Sequence, residues 1–194
     1  MYMLAKDETL YLELKKKYLG VAGIRDIVAD RDAPDMDANY LFMKLTPFED
    51  NDGEWWTVRD LMDFYMENER QNGYTWFSTE SLFGGMSKKR VKEYNKKIQN
   101  GERVLILFAL NDETVDNDIA YAADVLEVYS SKLPALCPEE NAAFPGQARI
   151  WMKIRNVREE RDIRASMLKI TSTGRDLKET IRNSQYHFGY VSSK

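Results

Sequence analysis

The sequence predicts an α+β protein in which a small mixed β-sheet or barrel is flanked by helices and preceded by a short helical appendage. Two observations favour this class. Apolar runs of strand length occur at 104–110, 119–129 and 149–157, and apolar residues recur at helical spacing at 57–65 and 87–98. The chain of 194 residues, 43% hydrophobic and 31% charged, is long enough to bury a real core.

We expect residues 1–36 to form the helical appendage and residues 37–194 to form the main domain. Apolar residues recur at helical spacing before Gly20, and the acidic, proline-containing stretch 30–39 is the expected linker. The N-terminus lacks a basic segment followed by an apolar stretch, and no apolar run approaches the ~20 residues that cross a bilayer. These features predict an intracellular (cytoplasmic) protein without a membrane span.

A strand at 40–45 and a polar turn at 49–54 lead into the first helix of the main domain. Thr57, followed three residues later by Asp60, has the pattern of a capping box. The next residues form one apolar helix face: Val58, Leu61, Met62 and Tyr65.

Aromatic and β-branched residues follow Gly73 and predict a short strand at 74–79. Ser87 is the expected cap of a second helix, which Gly101 ends. Its apolar stripe at positions 91, 94 and 98 leaves a row of exposed basic residues: Lys88, Lys89, Lys92, Lys96 and Lys97.

The continuous apolar run 104–110 is typical of a strand buried on both faces, and 119–129 is a longer strand candidate. In the strand at 149–157, apolar residues alternate with Trp151 and two cations, so one face offers an aromatic ring beside positive charge. We predict a long loop at 130–147 and helical pieces at 158–166 and 176–183.

Charge is distributed unevenly along the chain. Residues 1–72 carry 9 Lys+Arg against 16 Asp+Glu, a net of -7, whereas residues 73–194 carry 19 against 16, a net of +3. A basic face on the C-terminal part would attract phosphates despite the overall charge of -4. Solvated surface lysines are an equally weighted alternative.

From the tryptophan at position 76 onward, the sequence resembles the YTH domain, a family that binds 6-methyladenine in RNA. The likeness is carried by blocks in the same order: 75–80 (Thr-Trp-Phe-Ser-Thr-Glu), 104–111, 119–125, 149–157 and Gly174-Arg175-Asp176. It covers roughly residues 40–191 and implies a PUA-like fold. Because EVE domains and the specificity domains of modification-dependent restriction systems share that fold, RNA or DNA carrying a modified base stays open as the partner.

The resemblance implies roles for individual residues. Trp76 is the implied wall of a methyl-base cage, and Arg175 is the implied contact to the nucleic-acid backbone. The expected pocket consists of Trp76, Phe77, Ser78, Thr79, Lys44, Asp50 and Asn51, with Leu133, Leu136 and Phe144 as candidates for the second wall, since the predicted loop lacks the family's tryptophan. The expected backbone contacts are Arg175, Asp176, Lys88, Lys89 and Lys92.

An aromatic slot suits this function. A base must leave its stack at a cost of a few kcal/mol, and stacking on aromatic side chains returns ~1–3 kcal/mol per base. A methyl group on an exocyclic amine adds apolar area to the base, and burial of that area in a dry aromatic slot strengthens binding. Trp151, by contrast, is expected in the core.

We expect no catalytic residue, no metal and no cofactor. Cys137 is the only cysteine and His187 the only histidine, which excludes an internal disulfide and disfavours a zinc site or a nucleophilic pair. Two alternatives stay open: a protein-interaction module that docks a partner or a fused effector domain, and a nucleotide-processing enzyme that uses carboxylates near Asp50 and Asp176.

Overall fold

The computed structural model describes residues 40–50, 53–80, 84–112, 115–139, 142, 146–183 and 186–194. The expected appendage at 1–36 and the site candidates Asn51 and Phe144 lie outside these residues. Within the described residues the chain forms a seven-stranded mixed sheet, a two-stranded hairpin and three α-helices, so the predicted α+β class is confirmed.

The strands of the main sheet are β1 (Tyr40–Lys44), β4 (Thr75–Thr79), β5 (Leu105–Leu110), β6 (Asp118–Leu136), β7 (Gln147–Glu159), β8 (Leu168–Ile170) and β9 (Phe188–Ser193). They lie in the order β4-β7-β6-β5-β1-β9-β8, and among these strands only the pair β1 and β5 is parallel. The separate hairpin pairs β2 (Phe48–Glu49) with β3 (Trp55–Trp56).

The helices begin where the sequence signals predict. In α1 (Val58–Asn72) the Thr57 side chain and the Asp60 carboxylate form the capping box, and Gly73 ends the helix in the left-handed region at φ 79°. In α2 (Lys88–Gln99) the Ser87 hydroxyl accepts from the backbone N–H of Arg90. A short helix, α3 (Leu177–Asn183), follows a 3-10 turn at Ala165–Met167.

The sheet is strongly curved over its inner face, the face covered by α1 and α2. Phe77 on β4 and Phe108 on β5 contact each other there with ring centroids 5.2 Å apart. These strands are three steps apart in the sheet, which is roughly 14 Å in a flat sheet. The curvature lets both helices close one core, to which α1 contributes Val58, Leu61, Met62 and Tyr65.

The opposite, outer face is covered in two separate places. In the middle of the sheet, Phe42 and Leu107 pack against the C-terminal elements through Leu177 and Ile181. At the β4–β7 end, Trp76, Ala148 and Trp151 form their own buried cluster. Two tryptophans discussed in the sequence analysis, Trp76 and Trp151, therefore lie together at this end of the sheet.

Two predictions of secondary structure are wrong. The sequence predicts a loop at 130–147, but β6 extends to Leu136 and its last residues pair with β7, so the connection between the two strands is shorter than predicted. The register shifts between Ser130 and Ala135, and this irregularity accommodates a proline in a paired strand. The predicted helix at 158–166 is instead the end of β7, paired with β6, followed by the 3-10 turn.

Among the helices of the described residues, none combines the length and the apolar character that crossing a bilayer requires.

Candidate nucleic-acid interface

Trp76 lies on the outer face of β4 and is buried, with only 1% of its surface exposed. In the antiparallel register Trp76 stands opposite Lys153 and Ser78 stands opposite Trp151. The pleat of the two strands therefore places both tryptophans on one face, where they pack with Ala148. Trp151 is fully buried, as predicted, and its indole N–H donates to the Ala135 carbonyl at 3.2 Å.

Polar and aromatic side chains surround the Trp76 ring. The Tyr74 hydroxyl donates to Glu139 Oε2 at 2.7 Å, and the Trp76 indole N–H lies 3.4 Å from the same oxygen. The Lys153 ammonium is 3.5 Å from Glu139 Oε1 and stands over the Tyr74 ring, 3.8 Å from its centroid. We call Tyr74, Trp76, Glu139 and Lys153 the Trp76 site.

The neighbouring groups of the Trp76 site stabilise the negative charge of Glu139. The Tyr74 hydroxyl, more than any other group, holds the pKa of Glu139 below its ordinary value, and the Trp76 indole and the Lys153 ammonium act in the same direction. Lys153 also lies 5.9 Å from the Trp76 ring centroid. The site thus holds a carboxylate in its ionised form beside a cation that faces two aromatic rings.

The other predicted pocket residues of β4 divide between the two faces. Ser78 shares the outer face with Trp76, whereas Thr79 is buried on the inner side. Phe77 packs in the inner core against Tyr65 and Phe108. Since successive strand residues point to opposite faces, Phe77 and Thr79 do not line a pocket on the Trp76 side.

Two of the three candidates for a second cage wall, Leu133 and Leu136, are not in the Trp76 cluster. Leu133 and Leu136 lie on the extended end of β6, and 70% and 71% of their surfaces are exposed. Among the described residues, Tyr74, Cys137 and Ala142 are partly buried apolar residues that pack against the cluster of Trp76, Ala148 and Trp151. Phe144 lies outside the described residues.

Lys44 and Asp50 are engaged elsewhere. Lys44 Nζ donates to the Ile181 carbonyl at 2.9 Å, and burial lowers the pKa of this lysine. In the sheet order β1 is four strands from β4. Asp50 accepts from the Trp56 indole and from the Glu54 backbone, each at 2.9 Å, and so closes the β2–β3 hairpin.

The predicted backbone contacts lie on two separate elements. Arg175 is exposed in the turn between β8 and α3. Asp176 accepts from the Glu179 backbone N–H at 2.9 Å and pairs with Lys194, which gives it a structural role at the start of α3. The predicted contacts Lys88, Lys89 and Lys92 are exposed on α2.

Sequence reasoning missed Tyr74 and Glu139. Strand alternation places Tyr74 on the face of Trp76, two residues away, so that signal was present. Glu139 is 63 residues from Trp76 and sits in a segment predicted as loop, where no local pattern marks a contact. The alternation of Trp151 with cations on β7 did indicate Lys153.

The alternative nucleophilic pair gains no support from position. Cys137 packs beside the Trp76 cluster, whereas the backbone carbonyl of His187 accepts from the Lys44 backbone N–H. In the part of the chain that the structure describes, no group of three or more His, Cys, Asp or Glu side chains is placed to hold a metal ion.

We compared the chain with protein-family models, with curated proteins and with solved structures, and none of them matches it.

Proposed function

We propose that this chain is a non-catalytic reader of a modified base in RNA or DNA, that its fold is PUA-like, and that Trp76 is the ring on which the base stacks. The observation that carries the proposal is the Trp76 site, which joins two aromatic faces, a cation and an ionised carboxylate on the outer face of β4 and β7. The resemblance to the YTH domain implies 6-methyladenine as the modification.

The surface beside the Trp76 site also suits a nucleic-acid strand. Tyr129 stands opposite Trp151 on the neighbouring strand β6 and is 42% exposed. Arg155 is exposed on β7, two residues beyond Lys153. Exposed aromatic rings beside cations are the combination that binds unpaired strands, because bases stack on the rings and phosphates attract the cations.

The burial of Trp76 sets a condition on this function. Lys153 lies over the ring and Glu139 lies at its indole N–H, so we expect a base to reach the ring only after both side chains move away. Both side chains reach water, with 22% and 40% of their surfaces exposed, so their displacement does not require the core to open.

The test is a binding panel of short single-stranded RNA and DNA oligonucleotides, each with and without 6-methyladenine or a modified cytosine. The proposal expects tighter binding of at least one modified oligonucleotide than of its unmodified partner. Equal affinity across the whole panel, or no binding at low salt, would contradict it.

We expect Arg175→Ala to weaken binding about equally for modified and unmodified oligonucleotides. A contact to the phosphate backbone positions the strand without reading the base, so the salt dependence should fall while the preference stays. Fluorescence anisotropy at several salt concentrations measures both. A changed preference with an unchanged salt slope would show that the backbone assignment is wrong.

Joint replacement of Lys88, Lys89 and Lys92 by Gln is expected to lower affinity for every oligonucleotide and to reduce the salt slope by up to about three. The side chains are exposed on α2, so the melting temperature should stay near that of the unchanged protein. Unaltered affinity would assign these lysines to solvated surface.

A protein-interaction module is the second candidate, and two observations favour it. Trp76 is as buried as a core residue, and Leu133 and Leu136 expose apolar surface on the end of β6. The same panel separates the candidates, since an interaction module of this kind binds none of the oligonucleotides.

A further inference from the structure

The Trp76 site already contains a positive group of the protein itself. Lys153 Nζ lies 3.8 Å from the centroid of the Tyr74 ring and 5.9 Å from that of Trp76. A cation in such a position is attracted by the negative face of each ring. Lys153 therefore marks where the site stabilises positive charge.

A carboxylate completes the arrangement. Glu139 accepts from the Tyr74 hydroxyl at 2.7 Å and lies 3.5 Å from the Lys153 ammonium, with the Trp76 indole N–H 3.4 Å away. A group that replaces the ammonium must either bring positive charge to this carboxylate or leave it poorly compensated beside two aromatic rings.

From this geometry we infer that the Trp76 site takes a base that is itself positively charged, methylated on a ring nitrogen, and that Lys153 is the internal occupant which such a base displaces. The inference rests on the proposed function and narrows its ligand class. Methylation of a ring nitrogen such as adenine N1 leaves a positive charge spread over the base. Methylation of the exocyclic amine, as in 6-methyladenine, leaves the base neutral.

A cationic and a neutral base differ in which interactions of the displaced ammonium they can replace. A cationic base restores the attraction to both rings and to Glu139, and its N–H groups can donate to the carboxylate. A neutral base restores stacking and can still donate an N–H to the carboxylate, but it brings no positive charge to the two rings or to Glu139. A cation over aromatic rings is worth ~0.5–2 kcal/mol, so we expect a preference of roughly tenfold for the charged base.

The experiment measures the affinity of the full chain for three single-stranded oligonucleotides that differ at one adenine: unmodified, 6-methyladenine or 1-methyladenine. The unchanged protein should bind the 1-methyladenine strand about tenfold more tightly than the 6-methyladenine strand. Glu139→Gln, which keeps the shape but removes the charge, should abolish that difference.

Lys153→Met tests the displacement directly. Removing the internal cation should tighten binding of the 1-methyladenine strand several-fold relative to the unmodified strand, because the base no longer competes with Lys153. Arg155→Met is the matched control, since it removes a cation from the next outer-face position of the same strand. It should weaken all three strands alike.

The outcomes separate this inference from the proposed function. If 6-methyladenine binds as tightly as 1-methyladenine and both exceed the unmodified strand, the inference is overturned and the proposed function stands. If the three strands bind equally, the inference is overturned, and the proposed function fails as well when the modified-cytosine strands of the panel also bind no more tightly than their unmodified partners. A preference for 1-methyladenine that survives in Glu139→Gln overturns the role of the carboxylate and with it the inference.

Discussion

Trp76→Ala should lower the free energy of unfolding by about 3–5 kcal/mol and the melting temperature by roughly 10 °C. The ring is 1% exposed and packs against Ala148 and Trp151, so its removal leaves a cavity in a buried cluster. If the ring were exposed in the free protein, Trp76→Ala would lower the free energy of unfolding far less. Thermal and denaturant unfolding measure the change, and a melting temperature within a few degrees of the unchanged protein would contradict the burial.

Because that variant perturbs folding, a paired substitution is needed to test the function of the ring. Trp76→Leu and Trp151→Leu each replace a buried indole of the same cluster by an apolar side chain. Both should lose stability, but only Trp76→Leu should lose preference for the modified base, by roughly tenfold or more, since stacking is worth ~1–3 kcal/mol. Equal effects of the two substitutions on that preference would assign Trp76 to the core alone.

Local signals in the sequence predicted the helices and the central strand. The pair Thr57 and Asp60 predicts the start of α1 because both groups of a capping box lie within four residues. The run that forms β5 is buried at every position, as its continuous apolar character indicates. These elements needed no information from distant parts of the chain.

The hairpin of β6 and β7 and the Trp76 site could not be predicted in this way. Register shifts at three places in the hairpin break the two-residue alternation by which a strand is recognised, and both strands are longer than predicted. The site is completed by Glu139, whose contact with Trp76 spans 63 residues. Sequence spacing reports neighbours on one element and contains no signal for such a contact.

One of these irregularities is fixed by a residue on a helix. Asn156 on β7 has φ 55°, in the left-handed region, and the β6–β7 register shifts beside it. The Glu69 carboxylate of α1 accepts from the backbone N–H groups of Asn156 and Val157, the latter at 2.9 Å. The extra residue turns both Ile154 and Val157 toward the inner core.

Glu69→Ala should therefore destabilise the protein by about 2–4 kcal/mol, because two backbone donors lose a charged acceptor. Glu67→Ala is the matched control on the same helix, since that exposed carboxylate accepts from the exposed side chains of Arg70 and Gln71, and should change stability little. Amide hydrogen exchange adds a local readout: protection at Asn156 and Val157 should fall in Glu69→Ala and stay in the control.

Glu69→Ala should also weaken oligonucleotide binding, because β7 connects the bulge at Asn156 to the Trp76 site. The bulge at Asn156 changes the face on which the following residues of β7 lie, and Arg155 and Lys153 are one and three residues before it. With the bulge released, these cations lose a fixed direction relative to Tyr74, so affinity for oligonucleotides should fall more in Glu69→Ala than in Glu67→Ala at a temperature where both are folded. Equal stability and equal exchange in the two variants would show that the bulge holds its shape without Glu69.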